Sequence, residues 1–215
     1  MKDAVKGPRR YTSPLRLEQA AATRSNVLAA AGELFTSQGY AATTVTQVAR
    51  AAGVSVDTLY ATVGRKPVIL REVVEAAISG TGQTVPADQR DYVIAVRAAE
   101  RATAKIRIYA DAVAAMSPRT APVFLALRDA AQTDPDCAAL DTEISTRRAG
   151  NMRRFAADLR ATGELRLGLT DDFIGDVVWA TAGYEHFTQL TVGRAWTPVQ
   201  FGDYLRESWT RQFLA

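Results

Sequence analysis

The stretch Thr46 to Tyr60, TQVARAAGVSVDTLY, sets a glycine between two short apolar patterns. Val48, Ala49 and Ala52 fall at helical spacing before Gly53; Val54, Leu59 and Tyr60 follow it. A chain that stops one helix at Gly53 and starts another two residues later buries little surface inside that segment. Helices this short are marginal alone, so both must pack on something larger. Gly53 suits the left-handed turn. Thr44 and Gln47 have the spacing of a capping box at the start of the first short helix, and Ser55 is placed to cap the second. Two short helices around a glycine turn form a helix-turn-helix. Val48, Ala49, Val54 and Leu59 then pack inward. The face with Val56, Asp57, Tyr60 and Ala61 is left free, shaped to enter a major groove.

The remaining punctuation is also helical, and no period-2 alternation is long enough for a sheet. A first helix is expected from Arg16 to Ser37, with Val27, Leu28, Ala31, Leu34 and Phe35 on one face and Gly39 beyond its end. A fourth starts near Arg65, with Pro67 in its first turn, and runs to Ser79. After the loop GTGQTVPADQ, helices are expected over 88–98, 101–116 and 135–161, then from a Thr170 cap to about Val192, and from Pro198 to about Leu214. Ser117-Pro118, Asp134-Pro135 and Thr197-Pro198 each read as a cap followed by proline at the first helical position. The expectation is an all-α chain. It divides into a basic flexible tail (1–14), a helix-turn-helix domain (15–64), a connecting helix (65–80) and a larger C-terminal helical domain (81–215).

Charge separates these parts. Residues 1–72 carry ten Lys and Arg against five acids, whereas the whole 215-residue chain carries only +3. A basic N-terminal third suits a polyanion, or simply a solvated face. Cys137 is the single cysteine, so no intramolecular disulfide or Cys-based zinc site forms, and a reducing cytoplasm is the expected compartment. His186 is the single histidine, which excludes a multi-His metal site within one chain. No nucleophile elbow occurs. No run of 18 apolar residues exists to span a membrane. Neither catalysis nor a cofactor or metal is expected.

The segment TRSNVLAAAGELFTSQGYAATTVTQVARAAGVSVDTLYATVGRKPVILREVV closely resembles the DNA-binding domain of the TetR family of bacterial transcriptional regulators. The resemblance rests on Ala30, Ala31, Leu34 and Phe35, then Gly39-Tyr40, Thr43-Thr44, Val48-Ala49, Ala52-Gly53-Val54-Ser55, Thr58-Leu59-Tyr60, Lys66 and Leu70. It covers about fifty residues in order and at matching spacing. Val63 departs from it, standing where most members carry an aromatic. The resemblance implies nine to ten helices, a homodimer built on the last two long helices, a ligand pocket in the C-terminal domain, and release from DNA by a small-molecule effector.

By position, Tyr60 resembles the family's backbone-contacting tyrosine and Lys66 its phosphate-binding lysine. Thr44 and Thr46 offer hydroxyls or N–H groups to phosphate, and Thr44 equally serves as a cap. Ser55, Val56, Asp57, Thr58 and Ala61 lie on or beside the expected reading face. Asp57 either accepts from a cytosine amino group or caps the recognition helix. With no Arg, Asn or Gln among the outward residues of that helix, readout leans on thymine methyls, Gln47, Arg50 and DNA shape. A dimer spaces two such helices by about 34–36 Å per DNA turn, so the operator should be nearly palindromic. Arg107, Tyr109, Met116, Phe124, Trp179, Tyr184, Glu185 and His186 are candidates for the pocket. Val178, Thr181, Phe201, Leu205 and Trp209 are candidates for the dimer interface. Two other readings are an activator and a helical small-molecule binder without DNA-binding activity.

Overall fold

The computed structural model describes residues 14–80 and 85–215. The basic tail expected over residues 1–14 lies, apart from Pro14, outside these. The helices are α1 (Pro14–Ser37), α2 (Val45–Ala51), α3 (Val56–Thr62), α4 (Lys66–Ser79), α5 (Asp91–Ala98), α6 (Ala102–Ala131), α7 (Pro135–Arg160), α8 (Asp171–Thr181), α9 (Tyr184–Thr191) and α10 (Pro198–Phe213). Among the described residues the one extended pairing is an isolated antiparallel bridge between Leu165 and Leu214. No described helix is long and apolar enough to cross a membrane.

Local chemistry explains most boundaries. Thr44 and Gln47 form the expected capping box, and Thr197 with Gln200 forms a second at the start of α10. Ser55 accepts from the Thr58 N–H, Asp134 from the Asp136 and Cys137 N–H groups, and Thr170 from the Phe173 N–H. Each side chain satisfies donors that the first helical turn leaves unpaired. Gly53 turns α2 into α3 at φ +68°, a conformation that a side chain would strain.

Three expected boundaries are corrected. Ser117-Pro118 does not start a helix: α6 runs through it, with Pro118 and Pro122 inside. An interior proline costs about 3 kcal/mol. The continuous buried stripe outweighs that cost, since Val113 and Ala114 before the prolines and Ala121, Val123 and Leu127 after them all face the core. Ser117 and Thr120 donate their hydroxyls to the Val113 and Met116 carbonyls (2.7 and 3.1 Å), one turn back. The helix expected from Thr170 to Val192 is instead two, broken at Ala182-Gly183, with Gly183 at the N-cap of α9. The helix expected over 88–98 is a 3-10 turn, Ala87–Gln89, followed by α5 after an extended Arg90.

Two apolar cores share the two longest helices. The first gathers Val27, Ala31 and Phe35 of α1, Val48 and Ala49 of α2, Leu59 of α3 and Ile69, Leu70, Val73 and Val74 of α4. It continues into Val123 and Leu127 of α6 and Leu140 and Ile144 of α7. The second joins the other halves of α6 and α7 to α5, α8, α9 and α10, around Ile106, Phe155, Phe201 and Trp209. At about 1.5 Å per residue α6 extends about 45 Å, long enough to serve both. The helix-turn-helix is thus packed on α1, and α1 and α4 in turn pack on the helices that build the C-terminal domain.

Candidate nucleic-acid interface and ligand cavity

Leu59 is 0 % exposed, one residue from Tyr60, which is 48 % exposed. The buried leucine locks α3 against α1 and α2, and burying it contributes about 1.5–3 kcal/mol. Thr44, Thr46, Gln47, Arg50, Ser55, Asp57, Thr58, Tyr60 and Ala61 are all exposed. Val56 is a correction: it is half-buried, packed against the first core, and gives the reading face less than expected.

Polar detail sorts the others. The Thr44 hydroxyl accepts from the Gln47 N–H (3.2 Å) and donates to Gln47 Oε1 (3.0 Å). Gln47 Oε1 also accepts the Thr44 N–H at 2.7 Å. Thr44 therefore caps α2, and the carbonyl end of Gln47 is engaged. Ser55 caps α3 and its Oγ lies 2.8 Å from the Thr58 hydroxyl. The cap role considered for Asp57 is thereby taken by Ser55, leaving the Asp57 carboxylate exposed in the first turn.

Lys66, first residue of α4, holds its ammonium 4.0 Å from the centre of the Tyr40 ring. Burial lowers its pKa. Tyr40 is buried, packs at 5.4 Å against the tilted Phe35 ring and donates to Asp134 at 2.9 Å. Burial, reinforced by Cys137 and Asp134, pushes the Tyr40 phenol well above its usual value. This cluster ties the start of α4 to the start of α7, where Cys137 is fully buried.

Arg24 had no role in the sequence reading beyond its charge. Its guanidinium pairs with Glu72 of α4 at 2.6 Å and reaches the carbonyl of Thr62, last residue of α3, at 3.4 Å. Two further pairs join α4 to α7. Arg71 makes a bidentate pair with Glu143 (3.0 and 2.8 Å), and Glu75 accepts from Arg147 at 2.5 Å. The Arg71 bond holds the Glu143 carboxyl below its usual range.

A cavity opens where α4, α5, α6 and α7 meet. It has a larger lobe of about 480 Å³ and a smaller one of about 200 Å³. Tyr92, Tyr109, Arg147, Asn151 and Met152 line both. Of the expected pocket residues, Tyr109, Met116, Phe124 and Tyr184 line the smaller lobe. Tyr109 lies 4.7 Å from Phe155 ring to ring, and Phe124 stacks on Tyr184 at 5.4 Å. Burial raises the phenol pKa of both tyrosines.

The other pocket expectations are corrected. Arg107 is exposed and pairs with Asp111 at 3.9 Å, because two residues turn it roughly 200° away from Tyr109. Trp179 is 38 % exposed beneath the Arg148 guanidinium. Glu185 is exposed, 4.0 Å from Arg128. His186 packs between Tyr204 and Phe201, away from the cavity, with its Nε2 buried and unpartnered among the described residues. What the sequence reading missed is the polar face of α7. Arg147, Asn151, Arg154 and Asp158 recur at three- and four-residue spacing, a stripe that could have been found by periodicity alone.

The dimer candidates are corrected too. Val178, Phe201, Leu205 and Trp209 are fully buried inside this chain. Thr181 is used internally as well, accepting from Trp209 Nε1 at 2.9 Å. Phe201, Leu205 and Trp209 recur every four residues along the face of α10 that meets α6. Their size suited an interface, but the same spacing serves an internal helix pair.

Residues 27–77 match the family model described as bacterial regulatory proteins, tetR family. No curated protein matches the chain. Among solved structures, NalD of Pseudomonas aeruginosa, described as the secondary repressor of the MexAB-OprM multidrug efflux pump, aligns with TM-score 0.68 at 18% identity over 91% of this chain and 98% of its own. FadR of Bacillus subtilis, solved with stearoyl-CoA, aligns with TM-score 0.69 at 18% identity over 86% and 96%. A putative transcriptional regulator of Saccharomonospora viridis, solved with choline, aligns with TM-score 0.66 at 15% identity over 89% and 97%. At these identities the likeness is one of fold.

Proposed function

We propose that this chain is a transcriptional regulator of the tetR family, a ligand-responsive repressor that binds a near-palindromic operator as a homodimer; the match of residues 27–77 to the family model and the fold shared with NalD support the reading. Residues 15–64 read DNA, 65–80 connect, and 81–215 take the effector and the second subunit. The observation that carries the reading is the rigid α2–α3 pair, with Leu59 locked inside and Asp57, Thr58, Tyr60 and Ala61 outside. Phosphate contacts from Thr46, Tyr60, Lys66 and the start of α2 set the register, while Asp57, Ala61, Gln47 and Arg50 meet base edges. The cavity supports an effector, as do the choline and stearoyl-CoA held by two proteins of the same fold. An effector acts by binding better to the state whose recognition helices no longer match the operator. The protein is soluble, and its work is binding rather than catalysis.

The test is fluorescence anisotropy on the chain's own upstream DNA against a scrambled duplex, over a range of salt. Tight, selective binding with a steep salt slope is expected. In the Tyr60→Phe, Lys66→Ala double variant, affinity should fall on both duplexes and the slope should shrink by about one. Equal, weak binding to both duplexes, followed by failure to select any sequence from random DNA, would sink the reading.

A further inference from the structure

The smaller lobe of the cavity is unbalanced in charge. Arg90, Arg147 and Arg148 line it against one carboxylate, Glu75. Glu75 is buried and already committed to Arg147 at 2.5 Å. Arg90 donates to the Val85 carbonyl at 3.2 Å and Arg148 to the Trp179 carbonyl at 3.0 Å, and neither forms an ion pair among the described residues. Beyond them the wall is apolar: Tyr109, Met116, Phe124 and Tyr184. The larger lobe holds Asp88 and Asp158 beside Arg97, Arg154 and the shared Arg147, so its positive excess is smaller.

We propose that the effector is an organic anion with an aromatic or otherwise bulky apolar body, whose acid group takes Arg147 from Glu75. The proposal rests on the ligand-responsive reading above and names its ligand class. A guanidinium pairs with carboxylate, sulfonate or phosphate oxygens through paired N–H groups, a charge-assisted bond stronger than a neutral one. Arg148 and Arg90 add charge at the same end. Loss of Arg147 leaves the Glu75 carboxylate buried and unpaired, which the fold does not tolerate in place. Glu75 sits on α4, three residues from Glu72, and Glu72 holds Arg24, which holds the end of α3. Movement of α4 to rehydrate Glu75 therefore passes to the recognition helix by direct contacts.

The test uses two probes with one skeleton: 1-anilinonaphthalene-8-sulfonate and the uncharged N-phenyl-1-naphthylamine. Both are titrated by fluorescence into the full chain without DNA, so the result does not depend on finding an operator. The sulfonate is expected to bind about tenfold tighter than the amine. Arg147→Met should remove most of that advantage and leave the amine unchanged. Arg147→Lys should keep part of it, and Arg148→Met provides a second loss of charge if Arg147→Met does not fold. Glu75→Gln should tighten the sulfonate several-fold and leave the amine alone. Asn151→Trp, filling the wall common to both lobes, should exclude both probes. Equal affinities for the two probes in the wild type would overturn the anion selectivity. A sulfonate affinity unchanged by Glu75→Gln would overturn the exchange, and binding retained in Asn151→Trp would overturn the site.

Discussion

His186 shows how one buried polar atom sets a pH response. Its ring lies 5.5 Å from that of Tyr204, and burial lowers its pKa below the usual 6.5. The folded chain then binds fewer protons than the unfolded chain between that lowered value and about pH 6.5. Stability is full above about pH 6.5 and declines as pH falls through the lowered folded value. Urea midpoints should therefore be lower at pH 5.5 than at pH 7.5, and in His186→Gln the two should nearly coincide. An equal acid-induced loss in the variant would move the effect to other groups. The sequence singled out this residue because it is the only histidine. It misplaced it in the cavity, because position along α9 does not say which neighbour each face of the helix meets.

At the scale of elements, the approach of α10 to α6 depends on Gly202. A Cβ built there would lie 2.9 Å from the Ala114 Cβ, closer than packed carbons come. Gly202→Ala should cost about 1–3 kcal/mol by overpacking, read as a lower thermal or denaturant midpoint. Ala114→Gly in the same chain should return much of it, and lack of rescue would put the strain elsewhere. The caps of α2, α3, α7, α8 and α10 were legible because side-chain capping is local chemistry within four residues. Helix continuity was not. Ser117-Pro118 has the local signature of a start, yet α6 continues because both of its halves are needed in a core. Ala182-Gly183 has no strong stop signal, yet the chain breaks there so that Tyr184 meets Phe124 while His186 and Phe187 turn to α10.

For the whole molecule, the proposed homodimer has to use surface that internal packing leaves over. On α8 the buried Ile174 and Val178 face inward, while Phe173 remains 44 % exposed, with the exposed Ala180 about two turns along the same face. Phe173 and Ala180, with the half-buried Val177, form an apolar strip suited to a second copy of the chain. Light scattering should report twice the 23.2 kDa chain mass for the wild type. Phe173→Glu should shift the chain toward monomer and weaken operator binding without unfolding it. Leu205→Glu, by contrast, should unfold the chain, since Leu205 is internal. A Phe173→Glu protein that stays dimeric would place the interface on another face.

The sequence alone determined what depends on neighbours within a few residues. That includes the helix-turn-helix, its glycine turn, its caps, the buried Leu59 and the all-helical class. Tyr109, Met116, Phe124 and Tyr184, which it proposed for a pocket, line the smaller lobe. Only the tertiary structure decided which large residues face a cavity and which fill a core. It brought Arg147 of α7 to Glu75 of α4 across 72 positions of chain, and Arg24 to the end of α3. The physical reason is that helix periodicity says which residues share a face, while the rotation and crossing of packed helices decide what that face meets.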